Sequence, residues 1–165
     1  MNAKIKNNKI FVNGESVELT SKQLSDLGIK RRTPFERADD GEPFYVITYK
    51  GEVDCCLETF RKTYEDLSKI GNYCTDKELT EQRALHETLD RLLWRFSCEH
   101  GGLITDYYSH FIVFNAKTKK AYVSHMPVSG EKILGTPTFP NRSTAERAIT
   151  EVIEPFMEEH PDFIW

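Results

Sequence analysis

The residues of this chain able to do chemistry outright are its thiols, imidazoles and carboxylates, and their spacing decides what they can do. Cys98-Glu99-His100, with Cys74 upstream, offers thiolate and imidazole ligands. The paired C-x2–4-C or H-x3–5-H clips that announce a zinc site do not occur. A helix carrying Asp76 to Glu99 would also hold Cys74 and Cys98 about 35 Å apart at 1.5 Å rise per residue, so no metal is expected. Nucleophilic catalysis would need a serine or cysteine beside one of the five histidines. There is neither a G-x-S-x-G elbow nor a cysteine-protease signature, and His86 reads as the flank of a helix. Gly101-Gly102 follows a helix rather than opening one, so it is no phosphate cradle. Asp54, Glu58 and Asp66 could converge as the carboxylates of a nuclease, but solvated acidic faces are the commoner origin of such residues. The expectation is a non-enzymatic protein with no catalytic residue, no metal and no cofactor.

Binding chemistry has more to work with. Lys30-Arg31-Arg32 forms a basic connector, and Lys117-Thr118-Lys119-Lys120 forms a basic hairpin tip close in sequence to Tyr107, Tyr108 and Tyr122. Cations beside stacking rings can hold single-stranded nucleic acid, which makes Lys30, Arg31, Arg32, Lys117, Lys119 and Lys120 the candidate residues for that role. The acidic counterpart is the C-terminal run, where Glu154, Glu158, Glu159 and Asp162 surround Phe156, Met157, Phe163, Ile164 and Trp165. Folding back onto the core is the preferred reading for this tail, because a free Phe-Ile-Trp end would invite aggregation. If it docks on a partner instead, Glu158, Glu159, Phe163 and Trp165 are the candidate contacts, aromatic anchors with an acidic rim.

The elements that must position these groups are legible from pattern. In the N-terminal part, 1–33, two β-prone runs flank Asn13-Gly14, a strong hairpin signal, and Thr20 with Gln23 opens a short helix ending near Gly28. Residues 34–102 contain Phe44 to Tyr49 and Glu52 to Leu57 as a second hairpin, then a polar stretch from Glu58 to Ile70, a short strand at Asn72-Tyr73-Cys74, and a capping box at Thr75-Asp76-Lys77-Glu78. The helix it opens places Leu85, Leu89, Leu92, Leu93 and Phe96 at offsets 0, 4, 7, 8 and 11, one apolar face. Residues 103–165 repeat the order. His110 to Phe114 and Lys120 to Ser124 form a hairpin, Thr136 to Phe139 a short strand, and Ser143 with Glu146 a capping box. Ala145, Ala148, Ile149, Val152, Ile153 and Phe156 then recur at offsets 0, 3, 4, 7, 8 and 11. Pro155 is expected to close that helix early. The expected fold is therefore α+β, a single compact domain with antiparallel hairpins packed on two amphipathic helices and a degenerate ββ(β)α internal duplication.

Composition narrows the setting. A chain of 165 residues with a net charge of −4 lacks the basic excess of a dedicated duplex-DNA binder. No apolar run is long enough to span a bilayer, and residues 1–9 lack a secretory h-region, which points to a cytoplasmic protein with no membrane partner. Cys55 and Cys56 are adjacent on a strand and face opposite ways, so four reduced thiols are expected.

Phe44-Tyr45-Val46-Ile47, Gly51-Glu52-Val53 and Ile70-Gly71-Asn72-Tyr73-Cys74-Thr75 before a Glu-rich helix resemble a pattern in small proteins of phages and prophages of Gram-positive bacteria. The later pieces, His110 to Phe114, Gly135 to Phe139 and Ser143 to Ile153, continue it, so the resemblance spans roughly residues 43–156. It implies an accessory protein that binds and blocks a host protein or nucleoprotein complex, such as a CRISPR or restriction system. A nucleic-acid-binding accessory of phage replication or regulation is the alternative, and an enzyme with an unrecognised site the third reading.

Overall fold

The computed structural model of the chain describes residues 3–6, 9–12, 15–27, 33–102, 110–115, 117–118, 120–125 and 136–164. The fold is α+β, with antiparallel strand pairs and amphipathic helices. It divides into two compact units, Met1–Val46 with Asp54–Lys77, and Ile47–Val53 with Glu78–Trp165.

The first unit opens with an antiparallel sheet of β1 (Ala3–Lys6), β2 (Lys9–Val12) and β3 (Glu15–Glu18), so the expected hairpin gains an extra strand at its start. Val12 faces Glu15 across the β2–β3 pair, leaving Asn13 and Gly14, outside the described residues, to join them. Helix α1 (Ser21–Asp26) begins at the expected box. The Thr20 amide donates to Gln23 Oε1 at 2.9 Å and the Gln23 amide to Thr20 Oγ1 at 3.3 Å. The expected Gly28 cap lies outside the described residues.

Strands β4 (Pro43–Ile47) and β5 (Val53–Leu57) pair, and the turn between them closes through Gly51 at φ 86°, a conformation that glycine adopts without Cβ strain. The expected short strand at residues 72–74 is a single bridge, with Tyr45 and Cys74 exchanging N–H···O bonds of 2.7 and 3.1 Å. The polar stretch before it holds a helix, α2 (Lys62–Lys69). Two paired amides end that helix, Gly71 N–H on Ser68 O and Asn72 N–H on Leu67 O, with Gly71 left-handed at φ 75°.

Helix α3 (Lys77–Glu99) turns its apolar face into the core of the second unit. Leu89, Leu93 and Phe96 pack there with Phe139, Ala145, Ala148, Ile153, Phe156 and Phe163. The expected box at Thr75 is not formed. Thr75 spends both its amide and its hydroxyl on the Pro34 carbonyl, and the Asp76 amide is taken up by Cys74 Sγ.

Strands β6 (His110–Asn115) and β7 (Lys120–His125) turn Ile112, Ala121 and Val123 towards the core. Phe139 meets His110 in a second isolated bridge. Helix α4 (Arg142–Ala148) is capped by Asn141, whose Oδ1 accepts the Thr144 amide at 2.8 Å, so the cap lies two residues before the expected Ser143. Pro155 does not close the helix. A π-helical turn at Ile149–Ile153 leads into α5 (Glu154–Glu159), with Pro155 in its first turn. The wider turn takes up the missing proline N–H and moves the ring off the carbonyl four residues back.

The C-terminal end of α3 is closed by the same device as α2. Gly101 N–H reaches Cys98 O, Gly102 N–H reaches Ser97 O at 2.8 Å, and Gly101 sits at φ 79°. Gly102 also lies where any Cβ would press on the Ser97 hydroxyl and carbonyl and on the Thr138 carbonyl, while nothing stands near a Cβ at Gly101. Ser97 is itself buried and donates to the Thr138 carbonyl. Gly102→Ala is therefore expected to cost about 2 kcal/mol through overpacking against backbone. Gly101→Ala should cost about 1 kcal/mol through its left-handed backbone alone. Urea melts that ranked the two substitutions the other way would refute this packing of the α3 terminus.

Candidate functional site

The site that combines burial, charge and strained backbone is centred on Glu58, in the first unit. Glu58 directly follows β5 and is 0% exposed, an unusual place for a carboxylate. Its backbone extends the strand pairing, accepting from Gly41 N–H at 2.8 Å and donating to Glu42 O at 2.9 Å, and this aims the side chain inward. There Arg37 forks onto both oxygens, Nε to Oε2 at 3.1 Å and Nη2 to Oε1 at 2.7 Å. Tyr73 donates its hydroxyl to Oε2 at 2.8 Å, and the Phe60 amide donates to Oε1 at 2.6 Å. Four donors occupy the carboxylate, which is what an ion needs to remain charged away from water.

Each donor is held in turn. The Tyr73 hydroxyl accepts the Ala38 amide at 2.8 Å, tying down the connector before β4. The Tyr73 ring stacks on Phe44 at 4.3 Å and 12°, and Tyr64 of α2 meets Phe44 edge-on at 4.8 Å. Phe60 has φ 52°, left-handed for a residue with a bulky side chain, at a cost of about 1 kcal/mol that its bond to Glu58 helps offset. Its ring is 57% exposed, with the Arg37 guanidinium 5.1 Å from its centroid.

Electrostatics show what the cluster can do. Burial alone would push the Glu58 carboxyl up, but the hydrogen bonds from Arg37, Tyr73 and the Phe60 amide, together with the Arg37 charge, outweigh it and hold the carboxyl below its usual range. The Tyr73 hydroxyl is pushed up to about 12, first by burial, with the Glu58 carboxylate adding to it and the Ala38 amide opposing. Near neutral pH Glu58 stays ionised and Tyr73 protonated. Neither is poised to exchange protons, so the cluster orients Phe60 and Arg37 rather than transferring protons.

The structure distributes the other sequence candidates as follows. Asp54 on β5 and Asp66 on α2 are exposed, and among the described residues no cluster of three His, Cys, Asp or Glu side chains could hold a metal ion. His100 stacks on Phe96 at 4.1 Å, with Nδ1 2.8 Å from the Phe96 carbonyl and Nε2 3.3 Å from Arg147. All four cysteines are free, with Cys74 buried and Cys55 and Cys98 exposed. Lys30, Arg31, Arg32 and Lys119 lie outside the described residues. Lys117 and Lys120 are exposed at the β6–β7 tip, where Asn115 Oδ1 accepts the Lys117 and Thr118 amides. Tyr122 shares the outer strand face with Lys120 and is also exposed.

The tail folds back within the second unit. Phe163 is 6% exposed, edge-on to Phe156 at 5.4 Å and 4.6 Å from the His86 ring. The Gln82 side-chain amide donates to Asp162 O and accepts from Ile164 N–H, and His86 Nε2 lies 2.7 Å from Ile164 O. This corrects the expectation of Phe163 as a partner-facing anchor, since its ring fills the core. Glu158 and Glu159 face solvent, and Trp165 lies outside the described residues.

Sequence reasoning missed Arg37, Phe60 and Tyr73 and took Glu58 for a solvated acid. The one available signal was Glu58 at the end of a β-rich run, two residues before Phe60-Arg61. Comparison of the chain with known families, curated proteins and solved structures finds no match.

Two pH-dependent outcomes follow. The lowered Glu58 carboxyl contributes stability that is whole above its unfolded value of about 4.3 and is lost as pH falls through the folded value. Glu58→Gln should therefore lower Tm at pH 7, and the gap to wild type should narrow below about pH 4. A gap that stayed constant down to pH 2 would mean the charge is not what holds the cluster.

The second concerns His110, which faces His125 across β6–β7 with ring centroids 6.4 Å apart and has a buried Nδ1 without a hydrogen-bond partner. Burial first, then the His125 and Arg142 charges, holds its pKa below the usual value. The folded state thus disfavours the proton, and stability is full above about pH 6.5 and drains below it. His110→Phe should flatten the fall in Tm between pH 7 and 5, and an unchanged slope in that variant would assign the acid sensitivity elsewhere.

Proposed function

We propose that this chain is a non-enzymatic binding protein of the phage and prophage accessory kind, which engages a host protein or nucleoprotein complex and blocks it. Inhibition of a bacterial defence system, of the CRISPR or restriction type, is the role that the sequence resemblance implies. The observation that carries the binding reading is Phe60. An exposed aromatic residue, fixed by a left-handed backbone, by a hydrogen bond from its amide N–H to a buried carboxylate and by a guanidinium over its ring, has the properties of an interface anchor. Immobilising a ring before association lowers the entropic cost of docking it.

The second reading, a nucleic-acid-binding accessory, is favoured by the β6–β7 tip, where Lys117 and Lys120 stand exposed and Tyr122 lies on the same outer face as Lys120. One experiment separates the two. Tagged wild-type chain is incubated with an extract of a Gram-positive host, beside Phe60→Ala and a Lys117→Glu/Lys120→Glu variant, with and without nuclease. The binding reading predicts a captured protein that survives nuclease and salt, is lost with Phe60→Ala and is retained by the tip variant. Capture that vanished with nuclease or with the tip reversal, and was indifferent to Phe60, would establish the second reading instead.

A further inference from the structure

The helical cations of this chain are largely committed to neighbouring carboxylates four residues away. Lys69 pairs with Glu65, Arg83 and Arg91 with Glu87, Arg95 with Glu99, Arg142 with Glu146 and Arg147 with Glu151. Arg61 and Lys62 depart from this pattern. They follow Phe60 directly, both are exposed, and neither side chain makes an ion pair or hydrogen bond among the described residues. In a chain of net charge −4, the one aromatic residue with a left-handed backbone among the described residues is therefore followed by two uncommitted cations.

We infer that the Phe60-Arg61-Lys62 surface captures an acidic, apolar segment of a partner protein, the Phe60 ring receiving an apolar side chain while Arg61 and Lys62 meet carboxylates. This rests on the binding reading above and names the chemistry of the partner. A protein segment fits better than a nucleic acid for two reasons. Arg37, whose planar fork would otherwise suit a phosphate, already spends Nε and Nη2 on Glu58. Two remaining cations would neutralise about two phosphates, a small share of the contacts on which phosphate-backbone binding depends. Two cations following one exposed ring, Arg61 with its guanidinium fork free to grip a carboxylate, instead match a short motif of Asp or Glu next to a large apolar residue. Complementary charge of this kind sets specificity and speeds encounter.

The test uses the full-length chain as bait for a displayed library of random twelve-residue peptides, with a labelled dT20 oligonucleotide and sedimentation of the chain alone as parallel arms. The expected consensus carries Asp or Glu beside an aliphatic or aromatic residue. A synthetic peptide of that consensus should lose about tenfold in affinity with Phe60→Ala, and again with Arg61→Glu/Lys62→Glu. Replacing its carboxylates by lysine should restore binding to the doubly reversed variant. All three positions are exposed, so circular dichroism melts of the variants should match wild type. Phe60-dependent peptides without acidic residues, or ones indifferent to the charge reversal, would overturn the acidic-partner inference while leaving the binding reading intact. An absence of any Phe60-dependent peptide would overturn both. Phe60-dependent binding of dT20 would reassign the surface to nucleic acid, and self-association abolished by Phe60→Ala would reassign it to a second copy of the chain; either result would overturn the inference.

Discussion

A carboxylate with no access to water is the constraint around which the first unit is arranged. Glu58 must be matched donor for donor or its burial would cost several kcal/mol, and the four donors come from three separate stretches of chain: two from Arg37 before β4, one from Phe60 before α2 and one from Tyr73 before α3, whose hydroxyl is itself held by the Ala38 amide beside Arg37. None of these segments is regular secondary structure, and none has enough apolar surface to place itself. The carboxylate supplies the direction that hydrophobic burial lacks. Phe44, stacked on Tyr73 and met edge-on by Tyr64, supplies the apolar half of the same node and fastens α2, a helix with no fully buried residue of its own.

The second unit solves the same placement problem with no buried charge among its described residues. Its core cluster is apolar, the buried Ser97 hydroxyl is satisfied by the Thr138 carbonyl, and Gln82 and His86 hold the tail backbone. The two solutions nevertheless share a spacing. In each, the first strand of a hairpin is bridged by a residue 29 positions later, Tyr45 by Cys74 and His110 by Phe139, and a helix begins 3 residues beyond the bridge. The residue before each bridge takes a side-chain hydrogen bond, Tyr73 through its hydroxyl, which both accepts and donates, and Thr138 through its carbonyl, which accepts from Ser97. The recurrence is one of spacing alone: the polar node lies in the first unit, and the apolar core of the second draws on α3 as well as on the later elements.

What was legible in the sequence was whatever is encoded by period or by local chemistry. The stripe on α3, apart from Leu92, which is exposed, the hairpins, the Thr20–Gln23 box and the free thiols are of that kind. Helix α2 was not legible because only Tyr64 and Leu67 mark its inner face, too few to show a period. Pro155 misled because proline stops an α-helical ladder, and the π-turn that rescues it has no local signature. The node itself was hidden for a different reason. Glu58, Arg37 and Tyr73 are distant in sequence, and a residue type reveals nothing about whether a carboxylate meets water or a guanidinium. Phe163 could be read either way, as core or as anchor, and only the presence of Gln82 and His86 along α3 decides for the core.

On the proposed binding reading, stability and recognition meet in the first unit because one ion serves both. The bond from Glu58 to the Phe60 amide completes the carboxylate's coordination and also holds the backbone left-handed, turning the ring outward beside Arg37. A flexible exposed phenylalanine would surrender about 0.5–1.5 kcal/mol of side-chain freedom on docking. Here the ordering is done when the unit folds, and the strain at Phe60 is carried by interactions that the buried charge requires in any case. The residues that hold the ring in place are therefore those whose loss would first unsettle the fold, whereas the side chains of Arg61 and Lys62 make no ion pair or hydrogen bond among the described residues and, on the proposed reading, answer to a partner alone.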